Sequence, residues 1–252
     1  MFDLKGRVAL VTGGNGGIGL GMARGLAQAG AAVAVAGRNK AKSETAAAEL
    51  GKLGVKTTVL EVDVTDEASC RKMIDDAATQ FGRLDILINN AGINIRKQPQ
   101  EYTLDEWRKV MDSNLTSAFV CSQAAYPEMV KSRGGKMINI GSMMSIFGAS
   151  FTTAYAASKG GMVQMTRALA CAWARDNIQV NAVLPGWIDT DLTRGARKQV
   201  EGLNERVLAR TPAGRWGTPD DLAGIAIFLA SKSSDFLTGS AIPVDGGYSV
   251  QG

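Results

Sequence analysis

Short apolar segments alternate with longer stretches of helix-forming composition along the whole chain. The apolar segments have the length of strands that are buried on both faces, and they cover residues 8–11, 32–36, 57–62, 84–88, 137–140, 178–183 and 241–244. The helical stretches cover residues 19–29, 40–53, 66–81, 104–130, 152–175 and 219–230. This alternation predicts an α/β fold, a doubly wound parallel sheet of seven strands with helices on both faces. Pro243 cannot donate a backbone hydrogen bond, so we expect the last strand at a sheet edge.

The length and composition fit one folded domain over residues 1–252. Hydrophobic residues make up 45% and charged residues 21% of the chain, which is the balance of an ordinary globular domain. The net charge of +4 comes without any basic run longer than Arg197-Lys198, so we expect no nucleic-acid partner. The start of the chain lacks a signal pattern and no apolar stretch reaches the length of a membrane span. We therefore predict a soluble, cytoplasmic protein without a membrane partner.

The chain contains no histidine. This absence excludes mechanisms built on Ser–His or Cys–His pairs and every histidine-ligated metal site. The three cysteines, Cys70, Cys121 and Cys171, show no CxxC spacing, so we expect neither a disulfide framework nor a bound metal. Acid–base chemistry near neutral pH must then use a tyrosine, lysine, cysteine or carboxyl group with a shifted pKa.

A glycine-rich turn connects the first predicted strand to the first predicted helix, and residues 11–19 read VTGGNGGIG. Glycines in such a turn let the backbone approach a pyrophosphate, which the positive end of the helix then faces. The strand–turn–helix context disfavours the alternative of a merely flexible loop. We therefore predict a Rossmann-type dinucleotide site with cofactor contacts from Gly13, Asn15, Gly17, Ile18 and Gly19.

The residues after the second predicted strand bear on the choice of cofactor. A cofactor with a free ribose 2′-hydroxyl usually meets an acidic side chain here, but the sequence has Gly37-Arg38. Arg38 can pair with a 2′-phosphate, which favours NADP(H). NAD(H) stays possible, because no basic residue sits in the glycine turn and Arg38 can equally be a solvated surface residue.

The third and fourth predicted strands also end in polar or small residues. Asp63 can accept a hydrogen bond from an adenine amino group, or it can cap the helix that begins near Asp66. Small residues after the fourth strand leave room for a ribose, and asparagines there can tie strand ends together, although a plain turn has the same composition. The cofactor contacts predicted in these two segments are Asp63, Val64, Asn90, Ala91 and Gly92.

Tyr155 and Lys159 are the strongest candidates for acid–base chemistry. Their spacing of four places both side chains on one face of the helix predicted over residues 152–175. A free tyrosine titrates near 10, and a neighbouring ammonium group lowers its pKa by favouring the phenolate. Ser142 follows the fifth predicted strand, where it can hydrogen-bond the same substrate oxygen. A lone Tyr-x-x-x-Lys pair is weak evidence, but its combination with Ser142 and the glycine turn points to hydride transfer at a carbonyl or alcohol.

Together these residues closely resemble the short-chain dehydrogenase/reductase family over the whole chain. The family's glycine motif is matched at Thr12, Gly13, Gly17 and Gly19, its N-N-A-G motif at residues 89–92 and its terminal V-D-G-G at residues 244–247. The resemblance implies further cofactor contacts from Tyr155, Lys159, Pro185, Gly186, Ile188 and Thr190.

The resemblance also implies a catalytic tetrad of Asn114, Ser142, Tyr155 and Lys159. The tyrosine exchanges a proton with the substrate oxygen, the serine orients that oxygen and the lysine holds the nicotinamide ribose. The asparagine holds a water in a proton relay. Without the resemblance, Asn114 could equally be a satisfied core amide.

Several segments resemble the gluconate 5-dehydrogenase and 2-deoxy-gluconate 3-dehydrogenase types within the family. This resemblance implies a sugar, sugar acid or polyol as the small-molecule substrate, with contacts from Arg96, Met143 and Trp187, and a substrate lid roughly over residues 187–215. Arg96 can pair with a substrate carboxylate, although an arginine on a solvated loop would look the same. Relatives of this kind imply a homotetramer. Two alternatives remain open, a 3-oxoacyl-thioester reductase and a non-catalytic dinucleotide-binding sensor.

Overall fold

The computed structural model describes residues 1–252 and contains one sheet of seven parallel strands. The strands are β1 (Val8–Thr12), β2 (Ala32–Gly37), β3 (Thr57–Glu61), β4 (Ile86–Asn89), β5 (Gly135–Ile140), β6 (Ile178–Pro185) and β7 (Ala241–Val244). Their order is β3-β2-β1-β4-β5-β6-β7. The predicted parallel sheet of seven strands is confirmed, and β7 with Pro243 lies at its edge as expected.

Seven of the nine helices fall close to the predicted stretches, while the two helices between residues 191 and 210 were not predicted. The nine helices are α1 (Gly17–Gln28), α2 (Lys40–Gly51), α3 (Glu67–Phe81), α4 (Leu104–Met111), α5 (Ser117–Lys131), α6 (Thr153–Trp173), α7 (Asp191–Gln199), α8 (Leu203–Arg210) and α9 (Ala223–Ala230). The main difference concerns residues 104–130, which we predicted as one helix. Here a π-helical turn over Asp112–Thr116 separates α4 from α5, and hydrophobic periodicity does not distinguish such a turn from an α-helix.

The core lies in two layers, one on each face of the sheet. Successive residues of β1 point to opposite faces, so Ala9 and Val11 join one cluster while Val8 and Leu10 join the other. Helices α1, α2 and α9 cover the first face, and α3, α5 and α6 cover the second. This arrangement confirms helices on both faces. None of the helices combines the length and the apolar composition needed to cross a bilayer.

Side-chain caps fix the first turns of two helices, α2 and α7. Asn39 caps α2 by accepting a hydrogen bond from the backbone N–H of Lys42 at 2.9 Å. Thr190 caps α7, where its hydroxyl accepts from the backbone N–H of Thr193 at 3.4 Å. These caps set where α2 and α7 begin relative to the ends of the strands.

Candidate functional site

A cavity of about 340 Å³ lies at the carboxyl ends of β1, β4, β5 and β6. The strand order reverses between β1 and β4, and ligands of open α/β sheets bind at such a point. Most of the predicted site residues line this cavity, and they are Gly13, Asn15, Gly17, Ile18, Asn90, Ala91, Gly92, Arg96, Ser142, Met143, Tyr155, Lys159, Pro185, Gly186, Trp187, Ile188 and Thr190. The predicted residues that do not line it are Gly19, Arg38, Asp63, Val64 and Asn114.

The glycine turn packs tightly against the end of β4. The Asn90 side chain donates to the carbonyl oxygens of Thr12 and Gly13 at 3.0 and 3.2 Å, which confirms the expected tie between the two strand ends. A Cβ on Gly19 would collide with the carbonyl oxygen of Gly13. Gly19 therefore lets the helix pack closely against the turn, although it does not line the cavity. The turn therefore presents bare backbone to the cavity, which is the cradle that a pyrophosphate needs.

Arg38 and Asp63 lie at the ends of β2 and β3 and are exposed. Asp63 Oδ1 accepts hydrogen bonds from the backbone and the hydroxyl of Thr65 at 3.0 and 2.8 Å. These bonds lower the pKa of Asp63, and the charge of Arg38 lowers it further. The helix that follows is capped by Asp66, which accepts from Ala68 N–H at 3.1 Å, so the alternative of Asp63 as its cap is wrong. Cofactor contacts from Arg38, Asp63 and Val64 stay predictions.

Asn114 lies in the π-helical turn and is fully buried. Its Oδ1 accepts from the backbone N–H of Ile93 at 2.8 Å, and its Nδ2 donates to the carbonyl of the same residue at 2.9 Å. The same Nδ2 lies 3.0 Å from Ser158 Oγ, which in turn donates to the carbonyl of Tyr155 at 2.7 Å. Asn114 thus fastens the loop after β4 to the turn of α6 that carries Tyr155, while its predicted role in a proton relay stays a prediction.

Ser142 and Lys159 are joined through Ser145. The Ser142 N–H donates to Ser145 Oγ at 3.2 Å, and that hydroxyl donates to the carbonyl of Lys159 at 2.8 Å. The Lys159 side chain is buried, and its Nζ donates to the carbonyl of Ile140 at 2.6 Å. An ammonium group has three donors, so Lys159 keeps donors for the cavity that it lines.

Burial shifts the pKa values of Tyr155 and Lys159 in opposite directions, because it disfavours the charged form of each. Burial raises the pKa of Tyr155, while hydrogen bonding from Ser142 and the charge of Arg96 lower it. Burial lowers the pKa of Lys159 to about 8. Lys159 Nζ lies 5.7 Å from the centre of the tyrosine ring, and the expected lowering of the Tyr155 pKa by Lys159 stays a prediction.

Ser145 and Ser158 are functional-site residues that the sequence interpretation missed. Each supports a predicted catalytic residue through its backbone carbonyl, Ser145 at Lys159 and Ser158 at Tyr155. A serine in a short loop or within a helix has no distinguishing sequence signal, because its partner is fixed only by the fold. The spacing of the Tyr-x-x-x-Lys motif places Ser158 next to Lys159 but does not reveal the bond to Asn114.

The other end of the cavity is formed by the loop after β4 and by α7. Arg96 is partly buried there, and its guanidinium donates to Gln199 Oε1 at 3.2 Å and to the carbonyl of Leu192 at 3.4 Å. Burial lowers the pKa of Arg96, and no carboxylate of the chain pairs with its charge. Trp187 and Met143 also line the cavity. Arg96 is therefore a desolvated cation facing the cavity that also holds Tyr155.

Known proteins are similar to this chain over almost its whole length. The chain matches the family model described as enoyl-(acyl carrier protein) reductase over residues 13–249. It is 43% identical to 2-dehydro-3-deoxy-D-gluconate 5-dehydrogenase of Formosa agariphila over 98% of this chain and 94% of that protein. It is 38% identical to 5-keto-D-gluconate 5-reductase of Escherichia coli over 99% and 98% of the two chains.

A solved structure of similar sequence has the same fold throughout. The crystal structure of a gluconate 5-dehydrogenase from Burkholderia cenocepacia, in complex with NADP and tartrate, gives a TM-score of 0.93 at 41% identity. The matched region covers 98% of this chain and 97% of that one. The match of sequence, fold and motif positions shows that the chain belongs to the short-chain dehydrogenase/reductase family of NAD(P)-dependent oxidoreductases.

Proposed function

We propose that the protein is an NADP(H)-dependent oxidoreductase that interconverts a hydroxyl and a carbonyl group of a sugar acid. The observation that carries the substrate class is the partly buried Arg96, which lines the catalytic cavity and lacks a carboxylate partner. A desolvated guanidinium without a counter-ion is a favourable site for a planar carboxylate. The relatives named for gluconate chemistry, and the related structure with NADP and tartrate, support the same class.

Four cavity residues have separate roles in the proposed reaction. When bound, the nicotinamide supplies the hydride for reduction or accepts it in oxidation. Tyr155 donates its phenolic proton to the carbonyl oxygen during reduction and takes it back during oxidation. Ser142 orients the same oxygen through its hydroxyl, while Lys159 holds the nicotinamide ribose from its buried position. Arg96 anchors the carboxylate and so fixes which carbon of the chain faces Tyr155.

The test compares sugar acids with neutral polyols or lactones of the same stereochemistry, using the unmodified protein and Arg96→Gln. Loss of one charge-assisted pair should lower kcat/KM for the acid by about ten- to a hundredfold. The neutral analogue should change little. Arg108→Gln, on the exposed side of α4 beside Asp105, serves as the matched control.

Two results would contradict the assignment. Equal losses for acid and neutral substrates in Arg96→Gln would mean that Arg96 supports the fold of the site and not the carboxylate. Efficient reduction of a 3-oxoacyl thioester, without turnover of any sugar acid, would favour the acyl-thioester alternative. Cofactor binding without turnover of either class would favour a dinucleotide-binding sensor.

We further propose that residues 187–215 form a substrate lid and that the protein is a homotetramer. Helices α7 and α8 of this segment pack through a small apolar cluster of Ala196, Leu203 and Val207. Phe119 on α5 is 46% exposed, which supports burial of this helix against another subunit. Light scattering coupled to size-exclusion chromatography tests the oligomeric state. The cytoplasmic location stays a prediction.

A further inference from the structure

Lys42 reaches from the first turn of α2 to the glycine turn. Its Nζ lies so close to Gly16 that a Cβ on this glycine would be 2.8 Å away. Lys42 also lines the same cavity as Gly17 and Thr190. The glycine turn itself contains no basic residue, so Lys42 supplies from another element the ammonium group that the turn lacks.

The Lys42 ammonium forms an ion pair with the carboxylate of Asp191, which also lines the cavity. Its Nζ lies 3.5 Å from Asp191 Oδ2, and the bridge joins α2 to the first residue of α7. Asp191 also accepts from Arg194 at 2.6 Å. Both contacts lower the pKa of Asp191, that of Arg194 more strongly. The side chains of Lys42 and Asp191 are 49% and 79% exposed, so solvent screening keeps the pair weak and easily exchanged.

A phosphate group is the stronger competitor for this ammonium. The pyrophosphate of a dinucleotide carries two negative charges in total and a 2′-phosphate carries close to two, so either group presents more charge than one carboxylate, and the glycine turn beside Lys42 is the part of the fold that faces phosphate. We propose that Lys42 binds a phosphate group of the dinucleotide, and that Asp191 competes with this phosphate for the Lys42 ammonium. The proposal rests on the cofactor class given above and adds to Arg38 a second basic residue for the cofactor.

The competition links cofactor binding to the start of α7. A phosphate that takes Lys42 leaves Asp191 with Arg194 alone. Helix α7, which also contacts Arg96 through Leu192 and Gln199, then loses its bridge to α2. Asp191 therefore weakens cofactor binding, and its removal should strengthen it.

Dissociation constants for NADP⁺ and NAD⁺, measured by calorimetry without substrate, test both parts of the proposal. Lys42→Met should weaken binding of the contacted cofactor by about five- to thirtyfold, less than for a fully buried charge-assisted hydrogen bond because the Lys42 side chain is half exposed. Asp191→Asn should tighten binding by about two- to fivefold. Lys40→Met is the matched control, since Lys40 is an exposed lysine on the same turn of α2 with no cavity contact.

The two cofactors distinguish the phosphate involved. A similar loss for NADP⁺ and NAD⁺ in Lys42→Met identifies the pyrophosphate, whereas a loss for NADP⁺ alone identifies the 2′-phosphate. In the Lys42→Met, Asp191→Asn double variant the gain from Asp191→Asn should disappear.

Either of two results overturns the proposal. Lys42→Met affinities within twofold of Lys40→Met for both cofactors would remove Lys42 as a phosphate contact. A gain from Asp191→Asn that persists in the double variant would show that Asp191 acts on the cofactor independently of Lys42. Both readouts are binding constants, so they stay informative even if the proposed sugar-acid substrate is wrong.

Discussion

The proposed catalytic residues and the proposed lid lie at or next to the same cavity but are held in place by different interactions. Asn114 and Lys159 are buried, and hydrogen bonds of 2.6 to 3.0 Å fix their polar atoms to backbone and serine groups. The lid rests on a small apolar cluster and on ion pairs that are largely exposed. The difference indicates that the proposed acid–base residues belong to a rigid frame, while the proposed lid is a part of the fold that can change at low cost in stability.

The largest effect should come from the catalytic side of this comparison. Tyr155→Phe keeps the ring and removes only the hydroxyl that exchanges a proton, so kcat should fall by about 10² to 10⁴. The dissociation constant for the cofactor should stay nearly unchanged. Tyr126→Phe removes a hydroxyl bonded to Asp176 outside the cavity and should keep normal turnover. Near-normal turnover in Tyr155→Phe would end the assignment of this residue as the acid–base group.

Lys159→Met should have an intermediate effect on activity. It should lower turnover but raise stability. Turnover should fall by about ten- to a hundredfold, because the ammonium that positions the ribose is lost. Burial lowers the pKa of Lys159 to about 8 from an ordinary value of 10.5. Between these pH values the unfolded chain binds more protons than the folded protein, so this group's contribution to stability rises with pH.

The variant should therefore have a higher Tm than the unmodified protein at pH 7, because at this pH the unmodified protein bears the full free-energy cost of burying a charged ammonium group. This gain should shrink as the pH rises above about 8. Thermal unfolding followed at several pH values measures it, with the exposed Lys109→Met as control. A Tm that falls in Lys159→Met at pH 7 would mean that the bond to Ile140 outweighs the cost of burial.

The smallest effect should come from the lid. The Arg197 side chain pairs with Asp189, and its guanidinium lies 4.3 Å from the centre of the Trp216 ring. Arg197→Ala should cost at most about 1 kcal/mol of stability and raise KM a few-fold with little change in kcat. Hydrogen exchange should quicken within residues 187–215 and stay unchanged around Tyr155. Faster exchange at both places would contradict the separation of lid and frame.

The sequence predicted the sheet, the glycine turn and the Tyr155–Lys159 pair better than it predicted the contacts between separate elements. Buried parallel strands are continuous apolar runs, so the sheet and its glycine turn follow from local composition. The Tyr155–Lys159 pair follows from helical spacing, since both residues lie on one element. The positions of Lys42 and Ser158 depend on how separate elements pack, and no local pattern encodes that packing. Burial raises the pKa of Tyr155, and the sequence does not reveal this opposing effect because burial depends on the packing of the whole fold.

The π-helical turn over Asp112–Thr116 determines which way two helices face. It closes with a hydrogen bond from Ser117 N–H to the carbonyl of Asp112, one residue longer than an α-helical turn. The extra residue rotates everything after it about the helix axis, so α4 packs on α6 while α5 packs on α3. Deleting a single residue here would keep a continuous helix but turn Asn114 away from Ile93 or expose the apolar side of α5. Insertions and deletions should thus be far less tolerated at this turn than substitutions are.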